Sequence, residues 1–198
     1  MFLNRFGQAV VAAIYLSLTG CAGEKLGPEY REISEEESGF QFYAPGLEGG
    51  YRQILTGQDE QFIKRTVATF GPKQGDFPYG ILALTEMPPT RHFTRVNPPK
   101  DAIKEWGPFK DRAITHGPAD ATNNAIGRIE YAIFQADGIS CVFFRQPFGT
   151  IHGVGRGTRL LDGYYCRGKA PMMTRAEAEA IVKAVGHRKY GPIEPPTR

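Results

Sequence analysis

The segment from Arg128 to Arg145, RIEYAIFQADGISCVFFR, constrains the fold of this chain more than any other stretch. Two runs rich in β-branched and aromatic residues flank a polar stretch that ends in Asp137-Gly138. Both residues of an Asp-Gly pair tolerate a positive φ angle, which the shortest hairpin turns require. The segment therefore predicts two antiparallel strands joined by a tight turn.

Several other runs have the composition of strands. They are rich in β-branched or aromatic residues and lie beside glycine or proline, which are typical of turns. These runs are FQFYAP at Phe40–Pro45, QFIKRTVATF at Gln61–Phe70, GILALTEM at Gly80–Met87 and RLLDGYYCR at Arg159–Arg167. The chain is therefore predicted to be mostly strand.

A short helix is predicted in the segment NPPKDAIKEW. Asn97 suits the N-cap, and Pro98 suits the first helical position because the N–H that proline lacks has no partner there. Gly107 follows the segment and is expected to end the helix.

A second, C-terminal helix is predicted from Thr174. Thr174 and Glu177 have the spacing of a capping box, and Gly186 stands where a C-terminal glycine is expected. The apolar stripe of this helix comprises Ala178, Ile181, Val182 and Val185. Because helices and strands are segregated along the chain, we predict an α+β fold. In it, an antiparallel β-sheet meander carries the short helix and the C-terminal helix on one face.

The N-terminus has the pattern of an export signal. Arg5 is the only charged residue before Cys21, and an apolar run extends from Ala9 to Leu18. The run is shorter than the roughly 20 apolar residues that a transmembrane helix needs. A positive residue before it and small residues after it are typical of a signal peptide.

Leu18-Thr19-Gly20-Cys21 resembles the lipobox of bacterial lipoproteins, in which a leucine and two small or hydroxyl residues precede an invariant cysteine. The resemblance implies cleavage before Cys21, a diacylglycerol thioether on its sulfur and acylation of the new amino group. Ala22 in place of aspartate implies sorting to the periplasmic face of the outer membrane. The alternatives are an ordinary secretory signal and a buried first helix.

The chain divides into four predicted parts. Residues 1–20 are the lipoprotein signal peptide. Residues 21–38 are polar and acidic and are predicted to form a flexible tether. A single α+β domain follows over residues 39–187. The proline-rich residues 188–198 are predicted to form an irregular C-terminal tail.

The cysteine count agrees with export. If Cys21 carries lipid, Cys141 and Cys166 remain as a pair, and such a pair in an exported protein most often forms a disulfide. Two buried free thiols are the alternative. A bridge between antiparallel strands would also set their register, with these pairs opposite each other: Phe143–Tyr164 and Ile139–Gly168.

The sequence points to no catalytic chemistry. Ser140 lies in GISCV, which lacks the glycine spacing of a nucleophile elbow, and the histidines are scattered without metal-ligand spacing. The sequence GVGRG at Gly153–Gly157 leads into a strand, whereas a phosphate-binding loop opens a helix. We therefore expect no cofactor and no metal. The net charge of +3 argues against a nucleic-acid partner, which requires a strongly basic face.

Basic residues cluster around the second cysteine. The stretch from Arg145 to Lys169 contains Arg156 and Arg159 in or beside a glycine-rich loop, and Asp162 is its only acid. Arginine makes paired hydrogen bonds to phosphate and carboxylate groups. Arg145, Arg156 and Arg159 are therefore candidate binding residues for an anionic envelope component or an envelope protein. A solvated loop rim is the alternative. A second, smaller cluster comprises Arg91, His92 and Arg95.

These patterns together favour a lipid-anchored cell-envelope protein with a non-catalytic binding or structural role. The alternative is an accessory enzyme or enzyme inhibitor that acts on envelope material. A nucleophile or a metal site would favour the enzyme.

We expect the substitution Cys21→Ser to abolish lipid attachment, because a hydroxyl cannot form the thioether. Cells that express the full chain are supplied with labelled palmitate, and both the label and the size of the protein are followed. Cys141→Ala is the matched control and should still be labelled and shortened. Labelling of the Cys21→Ser protein would contradict the prediction.

Overall fold

A computed structural model describes residues 29–47, 50–72, 77–150 and 157–195, without the side chains at 51, 52 and 150. The predicted signal peptide, the lipobox and Arg156 lie outside these residues. The described chain contains ten strands: β1 (Arg31–Glu32), β2 (Phe40–Phe42), β3 (Tyr51–Gln58), β4 (Lys64–Phe70), β5 (Tyr79–Glu86), β6 (Ile114–Asn123), β7 (Arg128–Ala136), β8 (Ile139–Thr150), β9 (Gly157–Lys169) and β10 (Val185–His187).

Eight of these strands form one antiparallel sheet in the order β1-β3-β4-β5-β9-β8-β7-β6, which we call the main sheet. Strands β3 to β5 form one meander and β6 to β9 another, and the pairing of β5 with β9 joins the two. Strands β2 and β10 form a separate two-stranded sheet. Strand β9 therefore lies inside the main sheet, where it pairs on both sides.

The hairpin predicted at Asp137-Gly138 is confirmed. The two residues join β7 to β8 and have φ angles of 51° and 80°, as the tight turn requires.

The other predicted strands are also present, although their ends differ. The sequence pattern does not predict β6, because Gly117-Pro118 interrupts it. This strand lies at the sheet edge, where an irregular register between His116 and Ala119 accommodates the proline.

The predicted disulfide is present and joins β8 to β9. Cys141 and Cys166 lie directly opposite each other, with their Cα atoms 4.2 Å apart. Both residues are completely buried. The bond therefore crosses between two neighbouring strands inside the protein rather than at its surface.

The predicted register of β8 and β9 holds over most of their length. Phe143 lies opposite Tyr164, as expected. The predicted pairing of Ile139 with Gly168 is wrong, because the register shifts after Ile139 and sets it opposite Lys169. Gly168 has a φ angle of 96°, which glycine adopts readily where a strand bulges.

The helices of the described chain are short: α1 (Glu35–Ser38), α2 (Pro99–Ala102) and α3 (Arg175–Lys183), with two 3₁₀ turns at Ile103–Glu105 and Gly107–Phe109. The capping box of α3 is confirmed, since Thr174 Oγ1 accepts from the Glu177 N–H and the Glu177 carboxylate accepts from the Thr174 N–H. Gly186 does not cap α3 as predicted; it lies in β10. The first predicted helix begins one residue later than expected, with Pro98 as its N-cap.

The two predicted helices pack on opposite faces of the main sheet, which differs from the prediction that they share one face. Phe144 and its neighbours form a core with α3, whereas Phe143 and its neighbours form a second core with α2 and the 3₁₀ turns. Successive strand residues point to opposite faces. Because both Phe143 and Phe144 are apolar, each face needs its own cover. The fold is α+β-like with β-structure dominant, as predicted in outline.

Part of the predicted tether belongs to the fold. Within residues 31–38, β1 pairs with β3, and α1 follows with Ser34 as its N-cap. Ile33 is buried in the core beside α3. Three glutamates open α1, where the helix dipole favours negative charge, so the acidic composition has a structural role here.

The C-terminal tail is irregular but attached over its described part. The Gln41 side-chain amide hydrogen-bonds both the C=O and the N–H of Ile193, at 2.8 and 2.9 Å. The Arg188 N–H donates to the carbonyl oxygen of Gly39 at 2.8 Å. Residues 188–193 are therefore held against the two-stranded sheet.

We expect loss of the disulfide to lower the free energy of unfolding by about 3–4 kcal/mol, because it cross-links residues 25 positions apart in the unfolded chain. The double variant Cys141→Ala, Cys166→Ala would be compared with oxidised and reduced wild type by urea unfolding. Reduced wild type should match the double variant. Equal stability of the oxidised and reduced proteins would refute the prediction.

Candidate functional site

The predicted basic loop is flanked by longer strands than expected. Strand β8 extends to Thr150 and β9 begins at Gly157, so both flanks of the glycine-rich segment belong to a long two-stranded ribbon, and residues 151–156 lie outside the described residues. Arg145 and Arg159 are strand residues in this ribbon, and Arg156 lies outside the described residues. Arg145 and Arg159 therefore do not project from a shared loop.

Arg145 is buried and bound within the protein. Its Nε and Nη2 donate to the two carboxylate oxygens of Asp162, at 2.6 and 3.0 Å. Nη2 also donates to Glu105 Oε2 at 3.2 Å, and Nη1 donates to the carbonyl oxygen of Asn97 at 3.2 Å. The side chain is only 7% exposed. Arg145 thus lies inside the protein, where it is placed to hold residues 97–105 against the sheet.

Arg159 is also engaged within the protein, although less completely. Its Nε donates to Glu86 Oε1 at 3.2 Å, and its guanidinium lies 4.6 Å from the centre of the Tyr190 ring. The Tyr190 hydroxyl donates to the same Glu86 oxygen at 2.7 Å. Burial by itself would raise the pKa of Glu86, but the hydrogen bonds from Tyr190 and Arg159 outweigh it and lower the pKa. Arg159 therefore helps to fix the C-terminal tail on the sheet.

His187 and Ser140 also have structural partners. The His187 ring contacts the Tyr190 ring in a tilted arrangement with the ring centres 4.6 Å apart, and its Nδ1 accepts from the Lys189 N–H. Burial lowers the pKa of His187, which favours the neutral imidazole. Ser140 is completely buried, and its Oγ accepts from the Met173 N–H at 3.0 Å. Neither side chain is placed as an exposed catalytic group.

Within the described residues, no group of three His, Cys, Asp or Glu side chains is placed to hold a metal ion. In the same part of the chain, no helix is long and apolar enough to cross a membrane.

A different set of side chains meets at one end of the main sheet. At this end β3 reaches Gln58, β5 ends at Glu86 and β9 begins at Gly157. The turn between β3 and β4 carries Phe62, so we call this the Phe62 end. The opposite end, where Phe77 precedes β5, we call the Phe77 end. The two ends are separated by the length of β5, about 23 Å at the rise of an antiparallel strand.

Phe62 is the most exposed large apolar side chain in the described chain, at 69% of its full accessibility. Its φ angle of 61° is unfavourable for a bulky residue. Asp59 holds the turn in this shape, since its Oδ1 accepts from the N–H groups of Gln61 and Ile63, both at 2.9 Å. The turn therefore fixes an aromatic ring in solvent at a conformational cost.

The segment after β5 lies beside this turn. Arg91 Nη1 donates to Gln61 Oε1 at 3.0 Å, and the Phe93 N–H donates to the carbonyl oxygen of Gly157 at 3.0 Å. A groove of about 390 Å³ lies between the turn and the segment. Its lining residues are Gln61, Ile63, Met87, Thr90, Arg91, His92 and Thr94. The smaller basic cluster seen in the sequence thus lies next to Phe62.

Exposure of Phe62 was not predicted from the sequence. It lies in a run, Gln61–Phe70, that reads as one strand, although the strand begins only at Lys64. Asp59, three residues before it, was the available sign of a turn, because aspartate side chains accept hydrogen bonds from backbone N–H groups in turns.

Comparison with protein-family models, curated proteins and solved structures produced no match for this chain.

We expect Arg145→Met to lower the free energy of unfolding by about 3–5 kcal/mol, because it leaves Asp162 buried without its partner. Arg159→Met is the control and should cost only about 1 kcal/mol, since its ion pair with Glu86 is partly exposed. Adding Asp162→Leu to Arg145→Met should recover much of the loss. Equal effects of the two arginine substitutions in urea unfolding would contradict this prediction.

Proposed function

We propose that this protein is a lipid-anchored cell-envelope protein with a non-catalytic binding role. Its lipid is attached at Cys21, and it works on the periplasmic face of the outer membrane. Its ligand is an anionic component of the envelope, which it meets at the Phe62 end of the main sheet.

The observation that carries this proposal is the buried disulfide between Cys141 and Cys166. Structural disulfides persist in oxidising compartments such as the bacterial periplasm and are rare in the cytosol. With these two cysteines joined, the remaining cysteine is the one in the lipobox-like sequence. The disulfide and the signal-like N-terminus are independent features that support the same location.

The positions of the arginines support a binding surface at the Phe62 end. Because Arg145 is buried and Arg159 is partly enclosed, we assign the proposed contact to Arg156, which lies outside the described residues. Its connection begins after Thr150 and ends at Gly157, and both residues lie at this end. The exposed side chains of Arg91 and Arg95 belong to the adjacent segment and would add positive charge.

We expect Arg156→Ala to weaken binding to isolated outer-membrane fragments, because it removes a positive charge from the proposed surface. The assay uses the mature chain without lipid, beginning at Ala22, so that the acyl chains do not dominate binding. The loss should be larger at low salt, where charges are less screened.

The matched control is Arg112→Ala, at the Phe77 end, where Arg112 pairs with Asp137 at 3.0 Å on an exposed surface. It removes the same charge and should leave binding unchanged. Thermal unfolding of both variants should stay close to wild type, as is usual for surface substitutions. If both variants bind like wild type, the proposed charged surface is wrong.

A further inference from the structure

We infer that the Phe62 end of the main sheet rests on the membrane that holds the protein's own lipid anchor. Phe62 and Tyr30 enter the lipid interface, and the neighbouring arginines contact anionic phospholipid headgroups. The inference rests on the proposed function, because the lipid on Cys21 is what brings the domain to the membrane.

The first argument is where the described chain begins. Strand β1 runs antiparallel to β3, with Arg31 opposite Thr56, so the residues before β1 lie toward the end of β3. A Cβ atom on Gly57 would come within 3.1 Å of the Tyr30 ring and 3.0 Å of the Glu29 carbonyl oxygen. Glu29, the first described residue, therefore lies at the Phe62 end.

The second argument is the length of chain between the anchor and the fold. Cys21 is eight residues before Glu29, so even a fully extended connection reaches only about 28 Å. If the Phe77 end faced the membrane, the connection from Glu29 to Cys21 would have to run the length of the sheet, about 23 Å, which is almost all of its reach. Any less extended connection places the Phe62 end nearer to the bilayer.

The third argument is the distribution of exposed aromatic side chains. The described chain exposes three large apolar side chains, and two of them, Tyr30 at 43% and Phe62 at 69%, lie at the Phe62 end. Aromatic rings are favoured at the membrane–water interface, where one part of the ring is in lipid and the rest meets water and headgroups.

The backbone of Phe62 strengthens this argument. Glycine or asparagine would adopt its φ angle at lower cost, and its exposed ring adds little to the core. A strained residue that does not serve packing is a reason to look for a function. Contact with lipid would give the exposed ring a favourable environment that the fold itself does not provide.

The fourth argument is charge. Arg65, Arg91 and Arg95 are exposed near this end, and Glu29 and Glu60 are the exposed acids beside them. The carboxylate of Asp59 accepts hydrogen bonds within its turn, and that of Glu86 is held by Arg159 and Tyr190. The three exposed guanidinium groups suit contacts with anionic lipid headgroups, since an anionic lipid surface attracts lysine and arginine placed close to it.

The test measures the depth of a tryptophan in the full lipidated protein. Phe62→Trp and the control Phe77→Trp each place a tryptophan at an exposed aromatic position, one at each end of the sheet. Trp106 packs against Phe143 and Tyr164 and stays in both variants as a constant background. The proteins are reconstituted into vesicles of phosphatidylethanolamine and phosphatidylglycerol, with and without bromine on the acyl chains.

We expect brominated lipid to reduce the tryptophan emission of the Phe62→Trp protein by a larger fraction than that of wild type. The fractional loss for the Phe77→Trp protein should not exceed that of wild type. If the protein is attached to the vesicles and bromine changes the emission of both variants equally, the inference is overturned, but the proposed lipid anchor at Cys21 is not. Failure of the wild-type protein to float with vesicles, together with a mass that lacks lipid, would overturn the proposed function and this inference with it.

A second measurement separates a lipid surface from a second copy of the chain. Protection of the Phe62→Trp side chain from both brominated lipid and aqueous acrylamide would mean that another protein molecule covers it, which overturns the inference. Adding Arg91→Glu to Phe62→Trp should weaken the quenching in vesicles with phosphatidylglycerol but not in vesicles of phosphatidylcholine alone. If Arg91→Glu leaves the quenching unchanged in vesicles with phosphatidylglycerol, or lowers it equally in both kinds of vesicle, the headgroup contact is wrong.

Discussion

The pairing of β8 with β9 holds the two halves of the main sheet together, because β9 also pairs with β5 of the other meander. Three successive cross-strand pairs lie on one face of this ribbon: the disulfide Cys141–Cys166, the aromatic pair Phe143–Tyr164 and the ion pair Arg145–Asp162. Trp106 packs edge-on against the aromatic pair, and Glu105 bonds to Arg145. Covalent, apolar and ionic contacts therefore fix the same two strands and hold the α2 segment over them.

This arrangement explains why the basic stretch of the sequence does not form one basic surface. A buried arginine needs a carboxylate opposite it, since an unpaired charge in the interior is strongly destabilising. Asp162, the only acid in the stretch, is that partner for Arg145, and Glu86 has the same role for Arg159 from β5. Charges used in this way stabilise the sheet from within, so Arg145 and Arg159 do not contribute to a shared basic surface.

Much of the local structure could be predicted from the chain alone. Asp137-Gly138 specifies its turn through the positive φ angles that both residues accept, and Thr174 and Glu177 specify the start of α3 through hydrogen bonds within one helical turn. The pairing of Cys141 with Cys166 follows from parity once Cys21 is set aside. Burial of Arg145 was not predictable, because its partners Glu105 and Asp162 lie 40 and 17 positions away in the sequence.

The sequence by itself therefore determined the β7–β8 hairpin, the start of α3, the cysteine pairing and the signal-like N-terminus, since each depends on residues close together or on residue type. Only the tertiary structure decided which charges are internal, which faces the helices cover and which side chains share the Phe62 end. Tyr30, Phe62 and Arg91 come from three separate segments, and they lie at the same end of the sheet because β1, β3, β4 and β5 pair in one register. That register depends on burying apolar side chains on both faces of the sheet, which no single segment specifies.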